Sequence, residues 1–347
     1  MTRGAMSTVV GTPVVSVIIP TRDRLAFLKE AVGSVLGQTL SACEAIVVND
    51  ASSDGTTEWL AEQETERLTT LTFEQHRERA VARNSGLEKA RGEFVLFLDD
   101  DDRLRHSALE KLHSALERDL QANGAVGALV LFDASANRRR LPHPRRLIER
   151  GVWTDLLAFW MPPLGTTLFR TNVLKAVGGW NPAITVSGDR ELFIRVSRQG
   201  PVLLVPEVVL DKRTHGGQWR AVEIREIQGR WVREHIDGLP SGDRELAEQL
   251  TRAYRLLNDA RIAYGNLESR KAISLYGQAL RVAPSLLRSP LVRPEIVRGV
   301  TKSSVGLVLG RRGILAARQS KRTIRRLGKW DVEEVKGRKS VKNEGVS

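Results

Sequence analysis

The chain has 347 residues, of which 27% are charged, with a formal net charge of +13 and a single cysteine. This length is sufficient to bury an enzyme-sized core, and one cysteine excludes an intrachain disulfide. No stretch reaches the roughly 18 to 20 apolar residues of a membrane-spanning helix, so we expect a cytoplasmic protein that is soluble or peripheral at the inner face of the membrane.

Short apolar runs alternate with helical periodicity from residue 14 to about residue 211. The runs predict strands at residues 14–19, 45–48, 68–73 and 94–98. Apolar residues recur at helical spacing from Leu25 to Val35, and a second helix is predicted at about 80–89. This alternation predicts an α/β fold with a mostly parallel sheet and helices on both faces.

In such a sheet, ligands bind outside the carboxyl ends of the strands. Three loops follow predicted strands in this way, at residues 20–24, 49–55 and 99–103, and two of them are rich in carboxylates. We therefore expect the functional site where these loops meet.

After residue 216 the pattern becomes helical. The spacing of small and aromatic residues over 260–284 is like that of one tetratricopeptide-type helical hairpin, and a single copy cannot form a solenoid. We predict three regions: a ligand-binding α/β domain at 12–220, a helical subdomain at 221–286, and a basic, partly helical or disordered tail at 287–347.

The positive charge is concentrated at the C-terminal end. Residues 270–347 carry 19 Lys or Arg and 5 Asp or Glu, which leaves the rest of the chain near neutrality. Such an arm attracts a polyanion, either an anionic membrane surface or a nucleic acid, unless it is a solvated tail without function. Trp330 is the only aromatic residue in the tail, so nucleic-acid binding through base stacking is disfavoured.

Four adjacent carboxylates, Asp99, Asp100, Asp101 and Asp102, directly follow the predicted strand 94–98. They repel one another unless a cation offsets their charge. Mg²⁺ and Mn²⁺ take oxygen ligands and commonly bridge carboxylates to substrate phosphates. The alternative is a solvated acidic turn before a helix that starts near Ser107. The position at a strand's carboxyl end favours a metal site.

Several ordered motifs resemble glycosyltransferase family 2. They are VSVIIPT at 15–21, SVLGQT at 34–39, IVVNDASSDGT at 46–56, ARNSGL at 82–87 and the acidic run. The resemblance covers about residues 14–220. It implies the GT-A fold, a Rossmann-like sheet, an inverting reaction, a divalent ion and a nucleotide-diphosphate-sugar donor, for which we expect a UDP-sugar.

The resemblance also assigns donor-binding residues. Pro20 and Asp50 match positions that line the nucleobase pocket, with Asp50 accepting a hydrogen bond from the base, and Arg83 matches an arginine near the donor diphosphate. Arg22 stands where many relatives carry an aromatic residue on which the nucleobase stacks. Arginine can also stack on a base, but this difference weakens the expectation that the nucleoside of the donor is uridine. The alternatives are a turn or cap role for Asp50 and Asp54, and a surface role for Arg83.

The family's D-x-D pattern maps onto Asp99 and Asp101. The resemblance places Asp99 near the ribose and the metal and makes Asp101 the principal metal ligand, while Asp102 is an adjacent candidate that can also be structural. His215, in the segment RTHGGQ at 213–218, matches a histidine that completes the metal shell or contacts the diphosphate. A polar core or surface histidine is the alternative.

The catalytic base is expected at Asp189, in the segment GDRELFIR at 188–195. This segment resembles a stretch in which a Glu-Asp pair opens a helix, but Gly188 stands in place of the usual Glu. An aspartate at a helix start can equally be a cap, and Glu191 is the reserve candidate. Acceptor specificity is expected in 138–167, where Trp153 and Trp160 either stack on sugars or fill the core.

The resemblance implies a glycosyltransferase that adds sugar to an acceptor hydroxyl in polysaccharide, glycolipid or glycoprotein assembly. The basic tail is expected to hold the enzyme near a lipid-linked acceptor at an anionic membrane. The alternative is a catalytically silent nucleotide-sugar-binding protein that docks on membrane or RNA through this tail, and Gly188 favours it. A nicotinamide-dependent dehydrogenase is disfavoured, since no G-x-G-x-x-G follows the first strand.

Overall fold

The computed structural model describes residues 11–63, 65–133, 162–184, 188–214, 233, 236–237, 241–287, 296–305 and 307–308, together with the backbone of 138–141. The described strands form one sheet of nine strands. None of the helices within these ranges is long and apolar enough to cross a bilayer.

The first half of the sheet is parallel. Its strands are β1 (Val15–Thr21), β2 (Cys43–Asn49), β3 (Leu68–Thr72) and β4 (Phe94–Phe97), in the order β3-β2-β1-β4. The helices that follow the first three strands are α1 (Leu25–Leu36), α2 (Thr56–Ala61) and α3 (Glu78–Lys89). β2 is buried along its whole length, as expected for a strand covered on both faces.

The second half of the sheet is mixed. Its strands are β5 (Arg103–Leu104), β6 (Gly124–Phe132), β7 (Arg138–Leu141), β8 (Thr167–Arg170) and β9 (Val202–Arg213). The sheet continues from β4 in the order β8-β6-β9-β5, with β7 paired to β6. β8 is antiparallel to both β4 and β6, whereas β6 and β9 are parallel. The helices of this half are α4 (Ala108–Arg118), α5 (Thr171–Ala176) and α6 (Gly188–Gln199).

The two faces of the sheet bury separate cores because successive strand residues point to opposite sides. On one face, Val17 of β1 belongs to a cluster with Leu28 of α1 and Leu109 of α4. On the other face, Ile18 belongs to a cluster with Ala82 of α3 and Phe193 of α6. The predicted α/β class, with a mostly parallel sheet and helices on both faces, is confirmed.

β1 runs further than the sequence predicts, through Pro20 to Thr21. The carbonyl of Ile18 accepts from the Leu98 amide on the β4 side, and residues two apart face the same side of a strand. The nitrogen of Pro20 therefore faces the side where pairing with β4 has already ended at Ile18. A proline is tolerated there because no ladder bond needs its missing N–H.

The chain divides into two compact units, residues 1–248 and 249–347. The second contains most of α7 (Ser241–Gly265), all of α8 (Ser269–Val282) and a helical stretch at 296–305. A turn with Leu267 at a φ of 66° joins α7 to α8, so the region at 260–284 is a helical hairpin. The domain boundary predicted at 220 lies outside the described residues, and the three predicted regions remain a prediction.

Candidate active site

The acidic run occupies the loop after β4, next to β1 in the sheet. Asp99, Asp101 and Asp102 each offer a carboxylate oxygen, and these oxygens lie within 4.8 Å of one another. Oxygen ligands at this spacing suit a hard divalent cation such as Mg²⁺ or Mn²⁺. The donor set therefore fits a divalent ion, with Asp102 as a third oxygen donor beside Asp99 and Asp101, the two predicted aspartate ligands.

Lys212, near the end of β9, contacts two of these carboxylates. Its ammonium nitrogen lies 2.9 Å from Asp102 Oδ2 and 3.5 Å from Asp99 Oδ2. The amide of Arg213 donates to the other oxygen of Asp102 at 2.9 Å. Burial acts to lower the pKa of Lys212, but the charges of Asp99 and Asp102 outweigh it and raise that pKa, so the side chain is an ammonium.

Arg24 contacts the middle of the run. Its Nη1 donates to Asp101 Oδ2 at 2.9 Å and to Asp100 Oδ1 at 3.2 Å. The Thr21 hydroxyl donates to the second oxygen of Asp100 at 2.9 Å. Burial raises the pKa of Asp100, although Arg24 and the Thr21 hydrogen bond act against this rise. Asp100 is thus held against β1 and is not one of the three clustered carboxylates.

Arg83 projects from α3 toward the start of the acidic run. Its Nη2 donates to Asp99 Oδ1 at 3.0 Å, and its guanidinium stacks on the Trp180 ring at 4.3 Å. Burial lowers the pKa of Arg83, while the charges of Asp99 and Asp189 act to raise it. Its Nε is buried and has no hydrogen-bond partner among the described residues.

Asp189 lies in the first turn of α6, beside this cluster. Its Oδ1 accepts a hydrogen bond from the Arg190 amide at 2.9 Å. Burial raises the pKa of Asp189 and the Asp99 charge adds to this rise, whereas the Arg190 hydrogen bond and the Arg83 charge oppose it. A carboxylate whose pKa is raised in this way is better suited to accept a proton than an exposed aspartate.

Glu191 has a different role. Its two oxygens accept from Nε and Nη2 of Arg195, each at 2.6 Å. The same guanidinium donates to the carbonyls of Val177 and Gly179. The reserve candidate for the base is therefore engaged in an ion pair that holds the turn after α5.

The residues predicted to line the nucleobase pocket lie at and near the ends of β1 and β2. Asp50 is buried, and its Oδ2 lies 2.7 Å from His76 Nδ1 while its Oδ1 accepts from the Arg77 amide at 2.7 Å. Pro20 is half-buried at the end of β1. Arg22 is exposed in the next loop, with its Nε 3.7 Å from the Asp23 carboxylate. The two strands bring Pro20 and Asp50 to the same edge of the sheet.

Asp54 caps two helices. Its Oδ2 accepts from the amide of Leu25, the first residue of α1, at 2.8 Å. Its Oδ1 accepts from the hydroxyl of Thr56, the first residue of α2, at 2.6 Å. The cap alternative considered for this residue thus has a direct geometric basis.

Several predicted residues lie outside the described ranges. They are His215 and the part of 138–167 that carries Trp153 and Trp160. Their assignments stay predictions.

Sequence reasoning did not assign four residues of this site: Arg24, His76, Trp180 and Lys212. Arg24 lies in the loop at 20–24 and Lys212 directly precedes the segment at 213–218, both of which the sequence analysis had marked. Only the fold reveals their contacts, because the partner carboxylates are about 75 to 110 positions away in the chain.

The sheet and its loops define a GT-A glycosyltransferase fold. S. aureus TarS 1-349, solved in complex with UDP-GlcNAc, superposes with a TM-score of 0.57 at 17% identity, over 84% of this chain and 88% of TarS. The mannosyltransferase PcManGT from Pyrobaculum calidifontis, in complex with GDP-Man and Mn²⁺, gives 0.56 at 18% identity, over 88% of both chains.

Residues 16–177 match the family model described as Glycosyl transferase family 2. This match supports the resemblance that the motifs of this part of the chain show.

Curated relatives include TuaG of Bacillus subtilis, named for a proposed role as a teichuronic acid biosynthesis glycosyltransferase. It is 41% identical over 109 residues, covering 30% of this chain and 43% of TuaG. The GalNAc(5)-diNAcBac-PP-undecaprenol beta-1,3-glucosyltransferase of Campylobacter jejuni is 37% identical over 103 residues, covering 29% of this chain and 33% of that protein. The chain thus spans less than half the length of these relatives.

Proposed function

We propose that this chain is an inverting, metal-dependent glycosyltransferase that moves a sugar from a nucleotide-diphosphate sugar to an acceptor hydroxyl. The observation that carries the proposal is the convergence of Asp99, Asp101 and Asp102 within 4.8 Å, with Arg83 and Asp189 beside them. Their proximity supports their proposed roles as cation ligands, as a donor to an anionic ligand and as a base.

The donor is held at both ends. Pro20, Asp50 and Arg22 line the nucleobase end, where Asp50 accepts a hydrogen bond from the base. Arg83 pairs with the diphosphate through its guanidinium. A divalent ion would be held by Asp99, Asp101 and His215, with Asp102 beside them, and it would supply positive charge against the negative charge that develops on the departing diphosphate. A UDP-sugar is the first candidate, since TarS was solved with UDP-GlcNAc, and a GDP-sugar is the second.

The transfer is a single displacement. Asp189 takes the proton of the acceptor hydroxyl while that oxygen forms a bond to the anomeric carbon. The bond from this carbon to the diphosphate oxygen breaks, and the nucleotide diphosphate departs with the bonding electrons. Because attack and departure occur on opposite faces, the configuration inverts without a covalent sugar-enzyme intermediate.

The acceptor belongs to cell-surface saccharide assembly. The names of two relatives support this class, one through teichuronic acid and one through a saccharide linked by diphosphate to undecaprenol. The basic tail at 287–347 supports an acceptor at an anionic membrane, reached from the cytoplasmic side.

A catalytically silent nucleotide-sugar-binding protein is the second candidate, because Gly188 stands where the family pattern has a glutamate. A Cβ at this position would lie 3.7 Å from Trp180, an ordinary contact, so the site can accommodate a side chain that this chain lacks.

A donor-hydrolysis screen tests the proposal. UDP- and GDP-sugars are incubated with the full chain and Mn²⁺ or Mg²⁺, with and without a chelator, and nucleotide release is measured. We expect metal-dependent release that Asp189→Asn abolishes while donor binding persists. Donor binding without release from the wild type, even with varied acceptor saccharides, would support the silent candidate instead.

A further inference from the structure

The cation contacts of the acidic run separate into two groups. Asp100 and Asp101 share Arg24, whereas Asp99 and Asp102 share Lys212. Asp99 and Asp102 are two of the three carboxylates that converge at the candidate metal site. The Lys212 ammonium therefore lies against two of the three carboxylates that would take part in holding an ion.

Lys212 is firmly placed. It pairs with Leu131 in the register between β6 and β9, and the adjacent Arg213 donates its amide to Asp102. The Arg213 guanidinium stacks on Phe27 and Phe132, which anchors the end of β9 on both sides. The Lys212 side chain is 30% exposed, so it is only partly covered by the protein.

We infer that Lys212 is the site's built-in counter-cation, which weakens metal binding in the free protein and couples metal binding to nucleotide-diphosphate binding. A divalent ion and an ammonium compete for Asp99 and Asp102, because both bind these carboxylates and two cations repel each other at short range. A donor diphosphate offers the displaced ammonium a new anionic partner. Metal and donor then bind with positive coupling.

This inference rests on the proposed function, since it takes the carboxylate cluster as a metal site and a nucleotide diphosphate as its ligand. It goes further by giving a role to Lys212, which is a positioning residue here. The flexible four-carbon stem of lysine allows its ammonium to exchange one anionic partner for another.

The direct test is a titration of the full chain with Mn²⁺, in which electron paramagnetic resonance measures the free ion. We expect Lys212→Met to raise the Mn²⁺ affinity of the nucleotide-free protein by about tenfold or more, a value typical of strong site coupling. Lys212→Arg keeps the charge and stays near wild type. Lys111→Met, at an exposed position on α4, is the matched control and also stays near wild type.

An unchanged or weaker Mn²⁺ affinity in Lys212→Met would overturn the inference, because Lys212 would then only hold the ligands in place. The wild type supplies a second measurement that does not depend on the folding of a variant. Its Mn²⁺ affinity is compared with and without saturating UDP or GDP, and equal affinities would also overturn it. If the wild type releases nucleotide from a donor with Mn²⁺ but either of these two affinity measurements contradicts the inference, only the role given to Lys212 is wrong. If the wild type binds neither UDP nor GDP, the proposed function itself fails.

Discussion

The Asp99–Asp102 carboxylates lie in one loop but have different surroundings. Asp100 is fixed to Thr21 and Arg24, while Asp102 receives an amide hydrogen bond and an ammonium. The sequence alone indicated that a cation offsets the four adjacent negative charges, with a solvated acidic turn as the alternative. The protein supplies part of this compensation itself through Arg24, Arg83 and Lys212.

The raised pKa of Asp189 leads to a prediction about pH. Asp189 must be ionised to accept a proton, and burial and Asp99 raise its pKa. We expect kcat/KM to fall as the pH drops through a value above about 3.9, the ordinary value for an aspartate. The measurement is a pH–rate profile of donor transfer at saturating Mn²⁺.

Asp189→Glu, which keeps the carboxylate, serves as the comparison in this profile and is expected to shift the acid limb. Asp189→Asn should bind UDP normally and be inactive at every pH. An acid limb that stays in place in Asp189→Glu would contradict the assignment of Asp189 as the base.

Asp54 leads to a prediction about stability. Burial acts to raise its pKa, but hydrogen bonds from Thr56 and the Leu25 amide outweigh this and hold the pKa below its usual range. Asp54→Ala removes caps from two helices, so we expect a loss of about 0.5–2 kcal/mol in the free energy of unfolding. Urea denaturation at pH 7 measures it.

The lowered pKa of Asp54 sets the sign of the pH dependence. Its contribution is present above the unfolded-state pKa and is lost as the pH falls through the folded-state pKa, so wild type and Asp54→Ala should converge in acid. Donor affinity is the control and should stay unchanged. A variant of full stability that no longer binds donor would assign Asp54 to the site instead.

At the scale of elements, the order of strands and helices in the first half could be predicted from sequence. Continuous apolar runs such as 45–48 indicate strands buried on both faces, and the spacing from Leu25 to Val35 indicates one helix face. The positions of Pro20, Asp50 and Asp99 at strand ends followed from these elements. The shared edge of the sheet then brought these residues into one region.

The second half could not be predicted in the same way. Periodicity indicates a strand but not its partner or its direction, and β8 lies antiparallel between β4 and β6. β5 has two residues, too few for any periodic pattern. The contacts of Lys212 depend on this half, so they were not accessible from the sequence.

Gly92 lies between α3 and β4 and packs closely against the first residues of β1. Its replacement tests this packing. A Cβ at Gly92 would lie 2.6 Å from the Ser16 nitrogen and 2.8 Å from the Val15 carbonyl carbon, and both are backbone atoms. Gly92 also donates its amide to the Ser16 hydroxyl, which in turn donates to the buried Glu44. We expect Gly92→Ala to destabilise the fold by about 1–3 kcal/mol, the usual cost of overpacking.

Gly33→Ala is the matched control for this substitution. Gly33 lies inside α1, and a Cβ there would meet no described atom within 4 Å apart from its chain neighbours and the backbone of its own helix. Replacing it should stabilise the protein by about 0.5–1 kcal/mol, because alanine restricts the unfolded chain. Thermal unfolding compares the two variants, and equal stability would contradict the packing described for Gly92.

At the scale of the whole molecule, the charge distribution predicts association with an anionic membrane. The tail at 287–347 contributes up to about 1 kcal/mol per basic residue near anionic lipid. Changing Arg311, Arg312 and Arg318 to Gln should therefore weaken flotation with phosphatidylserine vesicles by up to about 10²-fold. Phosphatidylcholine vesicles are the lipid control.

A matched variant removes the same charge elsewhere. Arg252, Arg255 and Arg281 line a cavity of about 400 Å³ in the second unit, and all three side chains are exposed. Their replacement by Gln should leave flotation near wild type if the tail is the membrane-binding segment. An equal loss in both variants would mean that overall charge, and not the tail, determines binding.

The central claim is that the Asp99–Asp102 loop holds a divalent ion that in turn holds a nucleotide diphosphate. Calorimetric titration of UDP and GDP into wild type and Asp101→Asn, each with Mn²⁺ and with a chelator, tests it most directly. We predict that Mn²⁺ strengthens nucleotide binding to the wild type by at least about tenfold and that Asp101→Asn loses this gain. Nucleotide affinity that is the same in both proteins and unaffected by the chelator would contradict the claim.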